Sequence, residues 1–128
     1  MAEYEIGSFK IELDLTKPLY EQVLDQIRHA IARGEVELGS KIPSVRELAL
    51  QLKINPNTVM RAYQELERDK LCETRRGQGT FITTSEEKVM EIKKSLAKDA
   101  LNVFVSSMKD LGMDRSSAQK LLEEVEWE

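Results

Sequence analysis

Asn57, Thr58 and Arg61 follow Asn55-Pro56 in the chain, and an amide, a hydroxyl and a guanidinium are groups that read base edges in DNA. Asparagine pairs bidentately with adenine and arginine with guanine, each good pair being worth about 1–3 kcal/mol of discrimination. Arg61 and Asn57 are therefore the candidate base readers, with Thr58 beside them. Candidate anchors lie on either side. Ser44 and Arg46 follow Pro43, where the N–H groups of a helix start and a cation can hold a phosphate. Arg75 and Arg76 open the run Arg75-Arg76-Gly77-Gln78-Gly79 and put two cations at a turn that can grip a DNA backbone or minor groove.

Each residue also has a plainer reading. Ser44 is first a helix cap, Asn57 can assist capping, and an isolated arginine is usually a solvated surface charge. What favours DNA is that Arg46, Arg61, Arg75 and Arg76 fall on three successive elements of one reading head, Ser44 to Thr83. Cys72 reads as a small buried hydrophobe in a strand rather than a redox sensor, and His29 as a surface side chain.

The elements that must position these groups follow from periodicity. Phe9, Ile11, Leu13 and Leu15 alternate with charged residues, the pattern of a short half-buried strand or arm. From Pro18 the period becomes four: Leu19, Val23, Ile27 and Ile31 mark the face of a first helix that Gly34 stops. Gly39 to Pro43 reads as loop. Ser44 with Glu47 three residues on is a capping box opening a second helix, to about Lys53. Asn55-Pro56 caps and starts a third, whose inner face is Val59, Ala62, Tyr63 and Leu66. Two short helices with about three residues between them make a helix-turn-helix. Cys72, Thr74, Phe81 and Ile82 then flank a glycine turn, a β-hairpin wing.

Beyond Thr84, the stripe Val89, Ile92, Leu96, Val103, Phe104 and Met108 runs along a long helix to about Asp110. Gly112 ends it, and Asp114 caps a last helix carrying Ala118, Leu121, Leu122 and Val125. Two tail helices cannot bury that stripe within one subunit, so it reads as a dimer seam. The expected fold is mainly α (α+β): a winged helix-turn-helix with its N-terminal arm in residues 1–84, and a two-helix dimerisation tail in 85–128.

The bulk numbers are compatible with this. The net charge of −4 hides a surplus of +2 in residues 16–84, where eleven cations face nine anions, and the local field matters more to phosphates than the total. No apolar run reaches the roughly 18–20 residues of a membrane span, and the N-terminus lacks a signal-peptide pattern, so a cytoplasmic protein is expected. One cysteine and one histidine exclude the usual zinc ligand sets, and no metal or cofactor is expected. No phosphate loop ending in Gly-Lys-Ser/Thr and no nucleophile elbow is present, so an enzyme is not expected.

Pro43-Ser44-Val45-Arg46-Glu47-Leu48-Ala49, Asn55 to Leu66 and Arg76-Gly77-Gln78-Gly79-Thr80-Phe81 together resemble the GntR family of bacterial transcription regulators. The resemblance covers about residues 17–83, and the short tail resembles the YtrA subfamily, whose members dimerise through it and often repress an ABC-transporter operon. It implies that Ser44, Arg46, Asn57, Thr58, Arg61 and the wing residues Gly77, Gln78, Gly79 and Thr80 fall on DNA-contact positions. Ile42 stands where the family usually has Leu, and Lys70 where a Gly commonly ends the third helix. Only 44 residues follow Thr84, which argues against a deep effector pocket.

The resulting expectation is a homodimeric regulator, in sign a repressor, reading a pseudo-palindromic double-stranded DNA operator. The competing reading is a winged-helix module that binds protein and not DNA.

Overall fold

The computed structural model describes residues 2–6 and 9–128, with side-chain surroundings given from Lys10 onward. In chain order the elements are β1 (Ala2–Ile6), β2 (Phe9–Leu13), α1 (Leu19–Ala32), β3 (Lys41–Ile42), α2 (Val45–Leu52), α3 (Pro56–Arg68), β4 (Cys72–Arg75), β5 (Gly79–Ile82), α4 (Glu86–Asp110) and α5 (Arg115–Glu124). They divide into two compact units, residues 1–93 and 94–128.

The expected single N-terminal strand is half of an antiparallel hairpin in which β1 pairs with β2 from Ala2↔Leu13 to Ile6↔Phe9. Ile11 and Leu13 are fully buried as their alternation required, but Leu15 lies in the turn past the strand and is 59% exposed. The side chain of Phe9 lies outside the described ones. Two glutamines of α1 clamp this strand. Gln26 and Gln22, one helical turn apart, accept hydrogen bonds from the backbone N–H groups of Glu12 and Asp14 at 2.7 and 2.8 Å. The roughly 6 Å rise of four helical residues nearly matches two residues of strand, so both backbone groups are satisfied at once.

Around α1, helices α2 and α3 close the core with Val23, Ile27, Ile31, Leu48, Leu52, Val59 and Leu66, all at most 2% exposed. Leu71 and Ile82 of the wing region seal it from below. Ser44 and Glu47 form the expected capping box, and Asn55 caps α3 ahead of Pro56. Gly39 to Pro43, read as loop, contains β3: Lys41 and Ile42 pair with Phe81 and Thr80, giving a three-stranded wing sheet of order β3-β5-β4. A two-residue strand ending at a proline has no period to detect.

Lys70 keeps the turn into the wing by adopting the left-handed backbone, φ +62°, that the usual glycine would take without strain. Lys70→Gly is therefore expected to raise stability by about 0.5–1 kcal/mol and the Tm by a few degrees, which thermal unfolding will show.

Two buried acids make alkaline stability readable. Burial, and next the charge of Glu67, raise the Cys72 thiol from its ordinary 9.0 to about 12. Burial, then the charges of Cys72 and Glu47, raise the Tyr63 phenol from 10.0. In both cases the folded chain holds a proton that the unfolded chain releases. Their stabilisation is thus fully present below about pH 9 and is lost as pH rises beyond it. Cys72→Ala should move the onset of alkaline unfolding up toward about pH 10, measured by denaturant melts across roughly pH 8–11.

In α4, Val89 and Ile92 pack half-buried against the winged-helix core, so the first two turns of this helix belong to the first unit. No residue of α4 or α5 is buried. Gly112, at φ +75°, makes the turn between them, and Asp114 caps α5 by accepting from the Ser117 N–H at 2.9 Å.

Candidate nucleic-acid interface

Helix α3 is the element that the rest of the head holds in place. Tyr63 on its inner face donates its hydroxyl to the Pro43 carbonyl at 2.6 Å, tying α3 to the entry of α2. At its other end Arg28 of α1 pairs with the cap residue Asp69 at 2.5 Å. With Val59, Ala62, Tyr63 and Leu66 turned inward, the outward face is Asn57, Met60, Arg61 and Gln64, all exposed. Four residues separate Asn57 from Arg61, so the two side chains stand on one face.

Capping is done by Asn55, whose side chain accepts from the Asn57 N–H at 2.8 Å. The Asn57 amide is thereby left for other work, and among the described residues its side chain forms no hydrogen bond. Thr58 is half-buried beside it, its N–H bonded to the Asn55 carbonyl. Arg61 forms no hydrogen bond or ion pair among the described residues, but its guanidinium lies 4.0 Å over the ring of Tyr20.

At the start of α2 the Ser44 hydroxyl accepts from the Glu47 N–H at 3.1 Å, and the Glu47 carboxylate accepts in return from the Ser44 N–H at 3.4 Å. The hydroxyl keeps its own proton to donate to a phosphate. Arg46 next to it is exposed.

The two wing arginines separate clearly. Arg75 is half-buried, bonded to Glu73 at 2.7 and 3.0 Å, and stacked 4.2 Å from the Phe81 ring. Arg76 is exposed at the turn and has no ion pair among the described residues. Gly77 at φ +77° allows this turn, closed by the Gln78 N–H on the Arg75 carbonyl at 2.9 Å. Thr80 lies inside the sheet, between Ile42 and Thr74. Arg76→Ala is therefore expected to weaken binding to any duplex and to lower the salt slope by about 1 per subunit, while Arg75→Ala changes it less. Salt-titrated fluorescence anisotropy on one duplex compares them.

Sequence reasoning missed Lys41. Its side chain crosses the wing backbone where a Cβ on Gly79 would stand, the Cε being 2.7 Å from that position, and so brings a third cation to the base of the wing. Only the pairing of β3 with β5 places it there. Gln64 was also missed, though one more helical turn from Asn57 and Arg61 points to it.

Of the tail stripe, Val103 is 68% exposed, and Leu96, Phe104 and Met108 are half-buried. Phe104 and Met108 join Leu101, Val105, Ala118 and Leu122 around an apolar groove of about 520 Å³ between α4 and α5. Leu101 and Val105, at 55% and 40% exposure, are members that the stripe omitted. Among the described residues no helix is long and apolar enough to cross a membrane.

Residues 19–82 match the family described as bacterial regulatory proteins, gntR family. The uncharacterized HTH-type transcriptional regulator YhcF of Bacillus subtilis is 50% identical over 100 residues, 78% of this chain and 83% of that protein. The HTH-type transcriptional repressor YtrA of the same organism is 36% identical over 109 residues, 84% of each. A GntR family transcriptional regulator from Listeria monocytogenes superposes with a TM-score of 0.80 at 36% identity, over 89% of this chain and all of that one.

Proposed function

The chain belongs to the GntR family of bacterial regulatory proteins, in its YtrA-like subfamily, and on that footing we propose that it works in the cytoplasm as a homodimeric repressor of a pseudo-palindromic operator. DNA-binding transcription regulation is the family's activity; the sign, the dimer and the operator symmetry are the proposal. The observation that carries it is the union on one chain of two kinds of surface. One is a polar reading face, Asn57 and Arg61, backed by Arg46, Arg76 and Lys41. The other is a helix pair, α4 and α5, that buries none of its own side chains.

Exposed apolar side chains gathered around one groove rarely stay in water, and a second copy covers them with matching chemistry. The seam comprises Phe104 and Met108 of the stripe with Leu101 and Val105, which gather around one groove, while Leu96 and Val103 stand on another face of α4. Val89 and Ile92 of the same stripe pack instead on the first unit's core. Two-fold symmetry in the protein then requires two-fold symmetry in the DNA. The name of the similar YtrA, a repressor, supports the sign, and the subfamily resemblance implies an ABC-transporter operon as target.

Binding to the duplex upstream of the protein's own coding sequence, against a random duplex of equal length, tests this across a salt series. The proposal expects a preference of at least about 10³ and a steep loss of affinity with salt. Weak binding equal for both duplexes would contradict an operator at that site and favour the protein-interaction reading.

A further inference from the structure

We infer that Tyr20 is the positioning residue for Arg61, holding the guanidinium ready for a base before DNA arrives. The inference rests on Arg61 being a base reader. Tyr20 is the second residue of α1, half-buried and packed on the core, while Arg61 is exposed on α3. The guanidinium carbon stands 4.0 Å over the ring centroid, well inside the range at which a cation is attracted by an aromatic face.

The geometry suits a guanine-reading arginine. A stack uses the flat face of the guanidinium and leaves its N–H edge free, whereas guanine recognition uses two N–H groups of that edge. Both interactions can therefore exist together. A free arginine samples many rotamers and loses them on binding; one already laid on a ring anchored to the core loses fewer. Arg61 has no carboxylate partner among the described residues to compete for that edge, in contrast to Arg75, which stacks on Phe81 but is also tied to Glu73. The two stacked arginines are thus different devices: Arg75 is bound into the wing, and Arg61 is oriented and left open.

The test uses the full chain and a duplex that the wild-type protein selects from a random-sequence pool. The ratio of its Kd to that of a random duplex, and the salt slope, are measured for wild type, Tyr20→Leu, Tyr20→Phe, Arg61→Ala and the Tyr20→Leu/Arg61→Ala double variant. Tyr20→Leu is expected to lower the preference about three- to tenfold with the salt slope unchanged, because every phosphate-binding group is still in place. Tyr20→Phe should keep the preference, since the ring face is retained. In the Arg61→Ala background Tyr20→Leu should change nothing further.

An equal effect of Tyr20→Leu with and without Arg61, or an effect of Tyr20→Phe as large as that of Tyr20→Leu, would overturn the inference. So would a wild-type preference for Tyr20→Leu while Arg61→Ala loses it. If Arg61→Ala itself keeps the wild-type preference, the base-reading assignment fails instead. Thermal melts check the fold of each variant, and Tyr20→Met, unbranched and without a ring, replaces Tyr20→Leu if the latter unfolds.

Discussion

Leu101→Glu/Val105→Glu is expected to turn the protein into a monomer and to weaken operator binding by about 10²- to 10⁴-fold. Both side chains are exposed, stand one helical turn apart on α4 and line the groove against α5, so neither substitution cuts into a packed core. Two carboxylates placed in a seam that excludes water must be desolvated without partners, and separation of the subunits avoids that cost. Without the seam each head binds one half-site alone, and the multivalent gain of about 10²–10⁴ disappears. Sedimentation should then show one 14.7 kDa species at micromolar concentration. The first unit has its own core, so its thermal transition should stay close to that of wild type. A dimer that survives both charges would put the seam elsewhere.

Arg61→Ala carries the second large effect, on specificity. Removing one bidentate arginine–guanine pair from each half-site takes away about 1–3 kcal/mol of discrimination twice, or at least about fivefold per head. Because that pair is made to a base edge, affinity for random duplex and the salt slope should change little. This is the opposite signature to that of Arg76→Ala, whose effect is uniform across sequences and salt-dependent. Competition binding against duplexes mutated one base pair at a time would find the position that Arg61 reads: the variant should become indifferent there and nowhere else. A uniform fall for both arginines would mean that neither reads sequence.

Local chemistry explains which features were legible. Ser44 with Glu47, and Asn55 with Pro56, form caps from residues within three positions of one another, so the spacing alone announces them. The inner faces of α1 and α3 follow from a period that a single helix must satisfy. By contrast, the Gln22 and Gln26 clamp on β2 joins an ordinary helix surface to a strand edge, and nothing in either segment signals the other. Lys41 escaped because its position depends on β3 pairing with β5. The separation of Arg75 from Arg76 was half legible: Glu73 and Arg75 are two apart and share a strand face, but the Phe81 stack requires the hairpin register.

In the tail the apolar stripe was visible, while its use was not. Val89 and Ile92 have the same spacing as the residues after them, yet they pack on the first unit's core. Periodicity tells which residues share a face, and only the fold tells what lies opposite.

Hydroxyl-radical footprinting of the wild-type protein on the duplex upstream of its own coding sequence tests the central claim most directly. Two symmetry-related protected patches, centred about one helical turn or a multiple of it apart, are the result expected of paired heads on a pseudo-palindrome. A single patch with no dyad, or uniform weak protection along the duplex, would contradict it.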